Sequence, residues 1–536
     1  MASHSGRPND CSALDFSAQL QSRHEIATPH KARRVKGQFF TPPEVSEYMA
    51  SLFDVPRVLR LLDAGAGVGS LSAGVCDRIA GLPSPRSVDI HLFETDSEII
   101  PLLRQTMERC RETLHNAGHE LCYTIHEKDF ILYGGVPGFQ PPALFVDEFD
   151  IGQFDCAIMN PPYFKLSKDS AYARLMEDVV HGQPNIYALF VAAAASLLRP
   201  GGQLVAITPR SFCNGLYFRD FRRWLLARMS LEHIHLFESR TDTFRDVLQE
   251  NLITVWRRAQ QCNKVTLSTS VSGSLKNLQN QSLPKEAVLH GVTNDVIIRI
   301  PSKQEDAEIL RVVEAWPCRL SELGLRVSTG PVVAFRAREF LLREVEDRDF
   351  APLISVHNVK PFRLQWPNRK AKHPIGFKIC QESCRFVLPV RNYVLLRRFS
   401  AKEEARRLTA SPLLRSQQQW PYVALENHVN YLYHDERELT VEETNGLVAL
   451  FNSVFLDRYF RTISGNTQVN ATELRSMKFP SLDVVARLGR RLELHILHLS
   501  PTIEAIILDE LGIRGPLRQQ LLEESLFMTD TTRGQD

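Results

Sequence analysis

Residues 58–69 read Val-Leu-Arg-Leu-Leu-Asp-Ala-Gly-Ala-Gly-Val-Gly, and this stretch decides the fold. Its first half predicts a buried strand, and its glycines predict a tight turn into a helix that begins near Ser70. Glycine lets the backbone approach a ligand where a Cβ would clash. A dinucleotide-binding turn requires Gly-x-Gly-x-x-Gly, and after Gly65 and Gly67 the third position is Ser70. The turn therefore argues against a hydride-transferring enzyme.

Short apolar strands alternate with helical stretches around this turn. Strands are predicted over 58–63, 88–93, 121–125, 155–159, 203–208, 231–237 and 252–256. Helices are predicted over 70–79, 97–117, 186–198 and 218–229. Because this rhythm is typical of βαβ units, we expect an α/β fold with a Rossmann-like sheet of about seven strands.

The chain is long enough for more than one domain, at 536 residues. We predict an N-terminal arm over 1–35, a catalytic domain over 36–260, a polar linker over 261–290 and an α+β domain over 291–536 that ends in one or two helices. With 43% hydrophobic and 24% charged residues, the composition excludes a disordered or fibrous protein. We expect a cytoplasmic protein that neither spans a membrane nor binds a metal, because the sequence shows no long apolar run and no metal-ligand spacing.

Basic charge is concentrated in one part of the chain. The net charge is only +2, yet residues 351–400 hold ten Lys and Arg against the single acid Glu382. Lys370 and Lys372 belong to this run, and Phe362 and Trp366 are interleaved with it. Such a composition is typical of a surface that meets phosphates. The alternative is a solvated loop.

Polar side chains follow four of the predicted strands at the point where each strand ends. They are Asp63, Glu94, Asp129 with the neighbouring Phe130, and Asn160. Open α/β sheets bind ligands at the carboxyl ends of their strands. Asp63 is suited to an amine and Glu94 to both hydroxyls of a ribose, while Asp129 with Phe130 is suited to an adenine ring. One nucleoside-bearing cofactor would satisfy all four.

The fourth of these strands leads into Asn160-Pro161-Pro162-Tyr163. Two prolines make a rigid bend, because each fixes φ near −65° and neither donates a backbone hydrogen bond. If the Asn160 side-chain oxygen and the Pro161 carbonyl each accept one N–H of a planar amine, the nitrogen regains its lone pair for attack on a sulfonium methyl. Tyr163 would stack on the base. The alternative is an ordinary Pro-Pro turn.

With these motifs the sequence resembles the gamma-type adenine-N6 DNA methyltransferases of restriction-modification systems, which include the Eco57I-like methylases. The resemblance covers residues 36–258. It rests on Gly37-Gln38-Phe39-Phe40-Thr41-Pro42-Pro43, on the motifs above, and on Asn185-Ile186-Tyr187-Ala188-Leu189-Phe190. It implies S-adenosylmethionine as the cofactor and catalysis by Asn160, Pro161, Pro162 and Tyr163. The implied cofactor-binding residues are Phe39, Thr41, Asp63, Gly65, Gly67, Glu94, Asp129 and Phe130.

The resemblance also implies duplex DNA as the partner and a C-terminal target recognition domain. Phe244 is a candidate second aromatic against the extruded base. In Ser464-Gly465-Asn466-Thr467-Gln468-Val469-Asn470, the residues Asn466, Gln468 and Asn470 are candidates for contact with adenine edges, or for a structural turn. We expect a monomer whose further partner is a separately encoded cognate restriction endonuclease.

Methyltransferases that act on ribosomal RNA or on protein glutamine carry the same Asn-Pro-Pro-Tyr motif, so the motif leaves these substrates open. The long segment beyond residue 260, with its basic aromatic run, favours duplex DNA. A base inside a duplex is unreachable, so such an enzyme must flip it out.

Overall fold

The computed structural model describes residues 11–28, 40–133, 153–167, 169–179, 185–237, 250–270, 275, 277–291, 296–345, 349–368, 373–400, 404–465, 468–492 and 500–530. The chain divides into two compact units, Met1–Ser302 and Lys303–Asp536.

The first unit is built on one large sheet. Its strands are β1 Val58–Ala64, β2 Ser87–Phe93, β3 Glu120–His126, β4 Phe154–Met159, β5 Leu198–Pro209, β6 Ser230–Phe237, β7 Asn251–Arg257, β8 Lys264–Ser270 and β9 Leu278–Pro284. They lie in the order β3-β2-β1-β4-β5-β7-β6-β8-β9, and β1 to β5 are all parallel. β7 runs antiparallel to both of its neighbours. The expected α/β sheet is therefore confirmed, with β1 and β4 adjacent among its parallel strands.

Helices cover both faces of this sheet. They are α1 Ala13–Ala27, α2 Pro43–Ser51, α3 Ser70–Ala80, α4 Ile100–Asn116, α5 Phe130–Tyr133, α6 Ala171–Leu175, α7 Ile186–Leu197, α8 Arg219–Leu226 and α9 Lys285–Val288, followed by the short pair β10 Leu289–His290 and β11 Ile297–Ile298. Every residue of α7 except Ser196 is buried. A helix that is apolar all round belongs in a core, and α7 packs with α8 on one face. The helices α1 to α4 pack on the other face.

The expectation of an N-terminal arm is wrong for residues 13–27, which form the helix α1. The Asp77 carboxylate of α3 accepts the backbone N–H groups of Ala13 and Leu14 at 3.0 and 2.9 Å. Leu14 and Leu20 are buried against the unit. The helical signal in the sequence is weak here because the apolar stripe is narrow and part of the N-terminal cap comes from a distant residue.

The linker predicted over 261–290 is also corrected, because β8 and β9 lie within it and extend the sheet to nine strands. β8 pairs in parallel with β6, and β9 pairs antiparallel with β8. β9 is rich in Gln and Asn because it lies at the edge of the sheet, where most of its side chains are exposed or half-buried. Its polar composition reflects this edge position, and the first unit continues to Ser302.

The second unit mixes small sheets with helices, as expected for an α+β domain. Its strands are β12 Cys318–Arg319, β13 Leu325–Thr329, β14 Leu341–Leu342, β15 Phe350–Ile354, β16 Val359–Lys360, β17 Arg363–Leu364, β18 Gly376–Lys378, β19 Val387–Pro389, β20 Tyr393–Arg397, β21 Ala410–Leu413, β22 Tyr422–Leu425, β23 Val429–His434 and β24 Lys478–Phe479. One sheet has the order β13-β23-β20-β21 and another β14-β18-β15-β22-β19.

The helices of the second unit are α10 Asp306–Glu314, α11 Val441–Asn452, α12 Val454–Ile463, α13 Ala471–Ser476, α14 Leu482–Leu492, α15 Pro501–Glu510 and α16 Gly515–Asp530. The sequence predicts one or two C-terminal helices, whereas the described residues from 482 onward form three, α14 to α16. Among the described residues, no helix is both long and apolar enough to cross a membrane.

Candidate active site

A cavity of about 520 Å³ opens at the carboxyl ends of β1, β2 and β4. The polar residues predicted at the ends of the strands are expected at this edge of the sheet. The lining residues come from several segments and are Phe40, Thr41, Gly65, Ala66, Gly67, Val68, Ser70, Leu71, Phe93, Glu94, Thr95, Asp96, Ser97, Ile99, Lys128, Asp129, Phe130, Asn160, Pro162, Phe164, Tyr172, Ile186 and Phe190. The geometry therefore brings most of the predicted cofactor residues to one cavity.

The glycine-rich turn forms one wall of the cavity. The backbone N–H groups of Gly65 and Ala66 both donate to the Phe93 carbonyl, at 3.0 and 2.9 Å. Gly69 has φ +85° and precedes α3, and a Cβ there would lie 2.8 Å from the Leu103 side chain. Glycine is favoured at this position because the left-handed backbone strains any other residue and a Cβ would force the Leu103 side chain to shift.

Glu94 is held in place by the backbone around it. Its Oε2 accepts the N–H of Gly67 at 2.9 Å, and its Oε1 accepts the N–H groups of Thr95 and Asp96 at 2.8 and 2.9 Å. Burial raises the pKa of Glu94, and these three backbone hydrogen bonds oppose that rise. A carboxylate offers about four lone-pair sites. Glu94 therefore keeps acceptor capacity toward the cavity, as a ribose-binding residue requires.

Asp63 lies beneath the glycine-rich turn and is absent from the cavity wall. The Ser72 hydroxyl donates to its Oδ2 at 2.6 Å. Burial raises the pKa of Asp63 to about 7. Its Oδ1 is buried and has no hydrogen-bond partner among the described residues. The carboxylate thus faces the start of α3, and the implied contact between Asp63 and the methionine end of a cofactor stays a prediction.

Asp129 anchors the far side of the cavity. Its Oδ1 accepts the N–H groups of Ile131 and Leu132, both at 2.9 Å, and so caps α5. Its Oδ2 accepts the Tyr172 hydroxyl at 2.7 Å. Phe130 is almost wholly buried and contributes an apolar wall. Its ring lies 5.1 Å from that of Phe93 and 5.4 Å from that of Phe190.

The Asn160 amide is fixed by two partners that are distant in sequence. Its Nδ2 donates to the Thr41 hydroxyl at 3.0 Å. The Tyr163 hydroxyl lies 2.6 Å from its Oδ1 and 3.0 Å from the Ile207 carbonyl of β5. An amide oxygen has two lone pairs and can accept from more than one donor. The side chain that the sequence singles out for gripping an amine is therefore oriented in advance.

Tyr163 takes a different place from the one expected for a base-stacking ring. It is half-buried against the core and meets the Tyr187 ring edge-on at 6.1 Å. Phe164 follows it, lines the cavity and is 39% exposed. In this arrangement Phe164 presents the open aromatic surface. Stacking by Tyr163 stays a prediction.

Comparisons with known proteins identify the family of this chain. The sequence model described as Eco57I restriction-modification methylase matches residues 104–244. Type II methyltransferase M.BsuBI of Bacillus subtilis is 35% identical over 488 residues, which cover 90% of this chain and 93% of that protein. Type II methyltransferase M.PstI of Providencia stuartii is 34% identical over 461 residues, covering 85% and 89%. The chain belongs to the Type II methyltransferases.

A solved structure extends the likeness of fold to both units. The Type IIL restriction-modification enzyme MmeI, determined in complex with DNA, matches 96% of this chain and 77% of its own at a TM-score of 0.51 and 10% identity. The likeness includes the large mixed sheet of the first unit, whose strands β1 to β5 are parallel. The resemblance drawn from the Gly-rich turn and Asn160–Tyr163 is therefore confirmed at the level of family and fold.

Five predicted site residues of this methyltransferase lie outside the described residues: Phe39, Phe244, Lys370, Lys372 and Asn466. Of the other DNA candidates, Gln468 forms a bridge with Phe399, and its Oε1 accepts from Arg398 at 3.4 Å. Asn470 precedes α13, and its N–H donates to Glu473 at 3.1 Å. Both residues have structural roles in the second unit, and base contact stays a prediction for them.

Several cavity residues were not singled out by the sequence analysis. Phe40 and Phe190 stand in motifs quoted for the resemblance, so their positions in those motifs were the signal that could have identified them. Phe164 directly follows the catalytic motif. Tyr172 carried no such signal, because only the fold brings α6 to Asp129.

Proposed function

We propose that this methyltransferase transfers a methyl group from S-adenosylmethionine to the N6 amine of an adenine flipped out of duplex DNA, as the modification component of a restriction-modification system. The observation that carries the proposal is the oriented Asn160 amide at the rim of a cavity that contains Glu94. Family membership supports methyl transfer, and the site chemistry supports an amine as the acceptor.

The residues of the cavity fit the cofactor. Glu94 keeps an acceptor site for ribose hydroxyls, and the Phe93, Phe130 and Phe190 rings offer an apolar wall for a purine. Glycines let the backbone approach closely at the turn. Asp63 would support the turn through Ser72. When bound, the cofactor supplies an electrophilic methyl group on a sulfonium.

Asn160 would act on the acceptor amine. The lone pair of an adenine amine is delocalised into the ring, so the amine is a poor nucleophile. The Asn160 Oδ1 and the Pro161 carbonyl would each accept one N–H of the amine, which favours a pyramidal nitrogen with a localised lone pair. Such hydrogen bonds are strong where water is excluded and the acceptors are fixed in advance. Thr41 and Tyr163 fix one of the two acceptors here.

Duplex DNA is the substrate best supported by the rest of the chain. The second unit carries the basic run of residues 351–400, with ten Lys and Arg against one Glu. Cations that neutralise phosphates supply most of the sequence-independent affinity for DNA. The monomeric state and the separately encoded endonuclease remain predictions from the resemblance.

The proposal is tested by incubating the protein with cofactor carrying a labelled methyl group and with unmethylated genomic DNA. The DNA is then digested to nucleosides for mass spectrometry. We expect the label in N6-methyldeoxyadenosine. Label in deoxycytidine, in ribosomal RNA or in protein glutamine, with none in deoxyadenosine, would refute it.

The role of Asn160 is tested with Asn160→Ala. We expect methyl transfer to be lost while cofactor affinity, measured by calorimetry, stays within a few fold. A matched control is Asn116→Ala, at the exposed end of α4, which should retain full transfer. Turnover retained by Asn160→Ala would contradict the assignment.

A further inference from the structure

A second cavity, of about 610 Å³, lies entirely within the second unit. It is bordered by residues of β15, β17, β21 and β22. Its lining includes the rings of Trp366, Trp420 and Tyr422, three consecutive glutamines, Gln417 to Gln419, and the exposed Arg363. Proline and aliphatic side chains complete its floor. A cavity of this size that combines flat apolar walls with a few polar groups is typical of a small-molecule or single-group site.

The aromatic walls are held in place by their surroundings. The Trp366 indole N–H donates to the Ile375 carbonyl at 2.8 Å. The rings of Trp366 and Trp420 lie 4.7 Å apart at 79°, so they present two walls nearly at right angles. The Phe350 ring packs against both, at 6.5 and 6.2 Å. Fixed indole faces lose little entropy when a flat ring stacks on them, so the walls favour a planar aromatic ligand.

The polar part of the cavity selects among planar ligands. A glutamine amide carries one acceptor and two donors, which match the hydrogen-bonding edge of a nucleobase. Arg363 is exposed, and the Arg415 side chain just before the three glutamines is 69% exposed although it lies 3.5 Å from the Glu438 carboxylate. With the basic run of residues 351–400, these cations favour a ligand that carries phosphates. A nucleobase on a sugar-phosphate strand meets all of these requirements.

We propose that this cavity of the second unit binds an unpaired nucleobase of a DNA strand, stacked on Trp366 or Trp420 and hydrogen-bonded by the glutamine amides. The inference rests on the proposed function, because extrusion of one base from a duplex leaves its partner unpaired. The reaction would thus itself supply the ligand. Single-strand binding proteins combine aromatic stacking with basic surfaces in the same way.

The test uses the full-length protein and its own tryptophan fluorescence. Of its five tryptophans, Trp224, Trp256 and Trp316 are 9% exposed or less, so Trp366 and Trp420 dominate any quenching by a stacked base. The probes are a twelve-nucleotide single-stranded oligodeoxyribonucleotide and an abasic strand of equal length and charge. We expect the base-bearing strand alone to quench, and to bind at least about fivefold more tightly, since each stacked base contributes on the order of 1–3 kcal/mol.

Variants separate stacking from charge. Trp420→Ala should reduce the preference for the base-bearing strand to near unity, whereas Trp420→Phe, which keeps a flat ring, should retain most of it. Circular dichroism and urea unfolding show whether both variants fold. Equal quenching by the abasic strand, no quenching by either strand, or an unchanged preference in folded Trp420→Ala would overturn the inference.

Methyl transfer to DNA by the unmodified protein is measured in parallel. If the DNA is methylated and no base-dependent quenching occurs, only the base-binding inference fails. If deoxyadenosine is not methylated, the proposed function fails, whatever the fluorescence shows. A ribonucleotide strand that quenches in place of the deoxyribonucleotide strand would overturn the assignment of DNA as the ligand.

Discussion

Thr41 offers a sharp test of how the catalytic amide is positioned. Its hydroxyl accepts a hydrogen bond from the Asn160 Nδ2 at 3.0 Å, and its side chain is 5% exposed. Thr41→Val removes the acceptor and keeps the branched shape. Without this partner, the Asn160 amide loses one of the contacts that orient it, and its Oδ1 is held less firmly, although Tyr163 still contacts it. We expect slower methyl transfer with little change in the folded structure.

The size of the effect follows from the bond that is lost. A hydrogen bond of this kind contributes about 0.5–1.5 kcal/mol net, and a buried donor left unsatisfied costs about 1–3 kcal/mol. Asn160 borders the cavity, so water can replace part of the lost bond. A loss near 1–1.4 kcal/mol in the transition state corresponds to a decrease in kcat of about five- to tenfold.

The assay is transfer of labelled methyl at saturating DNA and varied cofactor, which separates kcat from KM. The control is Thr41→Ser, which restores the hydroxyl and should recover most of kcat. The resemblance instead implies that Thr41 encloses the methionine end of the cofactor. A raised KM for the cofactor with unchanged kcat in Thr41→Val would support that role and refute positioning of Asn160.

Three further predictions follow from the first unit. Glu94→Gln should weaken cofactor binding at least about tenfold in calorimetry, because bonds to a charged acceptor contribute about 1.5–3 kcal/mol; unchanged affinity would contradict it. Gly69→Ala should lower Tm more than Gly118→Ala, because both have positive φ, at +85° and +80°, but only at Gly69 would a Cβ clash; equal losses would remove the steric argument. Burial lowers the pKa of His233 to about 4 and that of His235 to about 3. Both imidazoles are therefore neutral in the folded protein, and below pH 6.5 protons bind more readily to the unfolded state. The urea midpoint of unfolding should be highest above pH 6.5 and decline as the pH falls toward 4; a midpoint that does not change with pH would count against this.

The sequence predicted the first five strands and the helices between them well, because apolar periodicity and glycine are local signals. It also placed Glu94, Asp129 and Asn160 at one edge, since parallel strands end on the same side. It missed elements whose stability comes from elsewhere. The helix α1 depends partly on Asp77 for its cap, and the polar strand β9 depends on pairing with β8.

The same division between local and distant signals holds inside the site. The motif at Asn160 predicts the reacting amide, but it does not indicate what holds that amide. Thr41 lies 119 residues before Asn160. Ile207, whose carbonyl holds Tyr163, lies 44 residues after Tyr163. No local sequence pattern indicates contacts between residues so far apart. Asp63 shows the converse, because its position at a strand end is typical of a ligand contact while its carboxylate binds Ser72.

The strand that supplies the Ile207 carbonyl is itself fixed at its end. Arg210, which follows β5, forms a buried ion pair with Glu250 at 3.1 Å, and its N–H donates to the Glu250 carbonyl at 2.7 Å. A buried ion pair is weak evidence for stability but fixes geometry, because either charge left alone is costly. It joins the end of β5 to the start of β7, three residues beyond the Ile207–Ile253 pair. The orientation of the predicted catalytic turn is therefore set by two contacts, that of Asn160 with Thr41 and that of Tyr163 with the Ile207 carbonyl in the β5–β7 ladder.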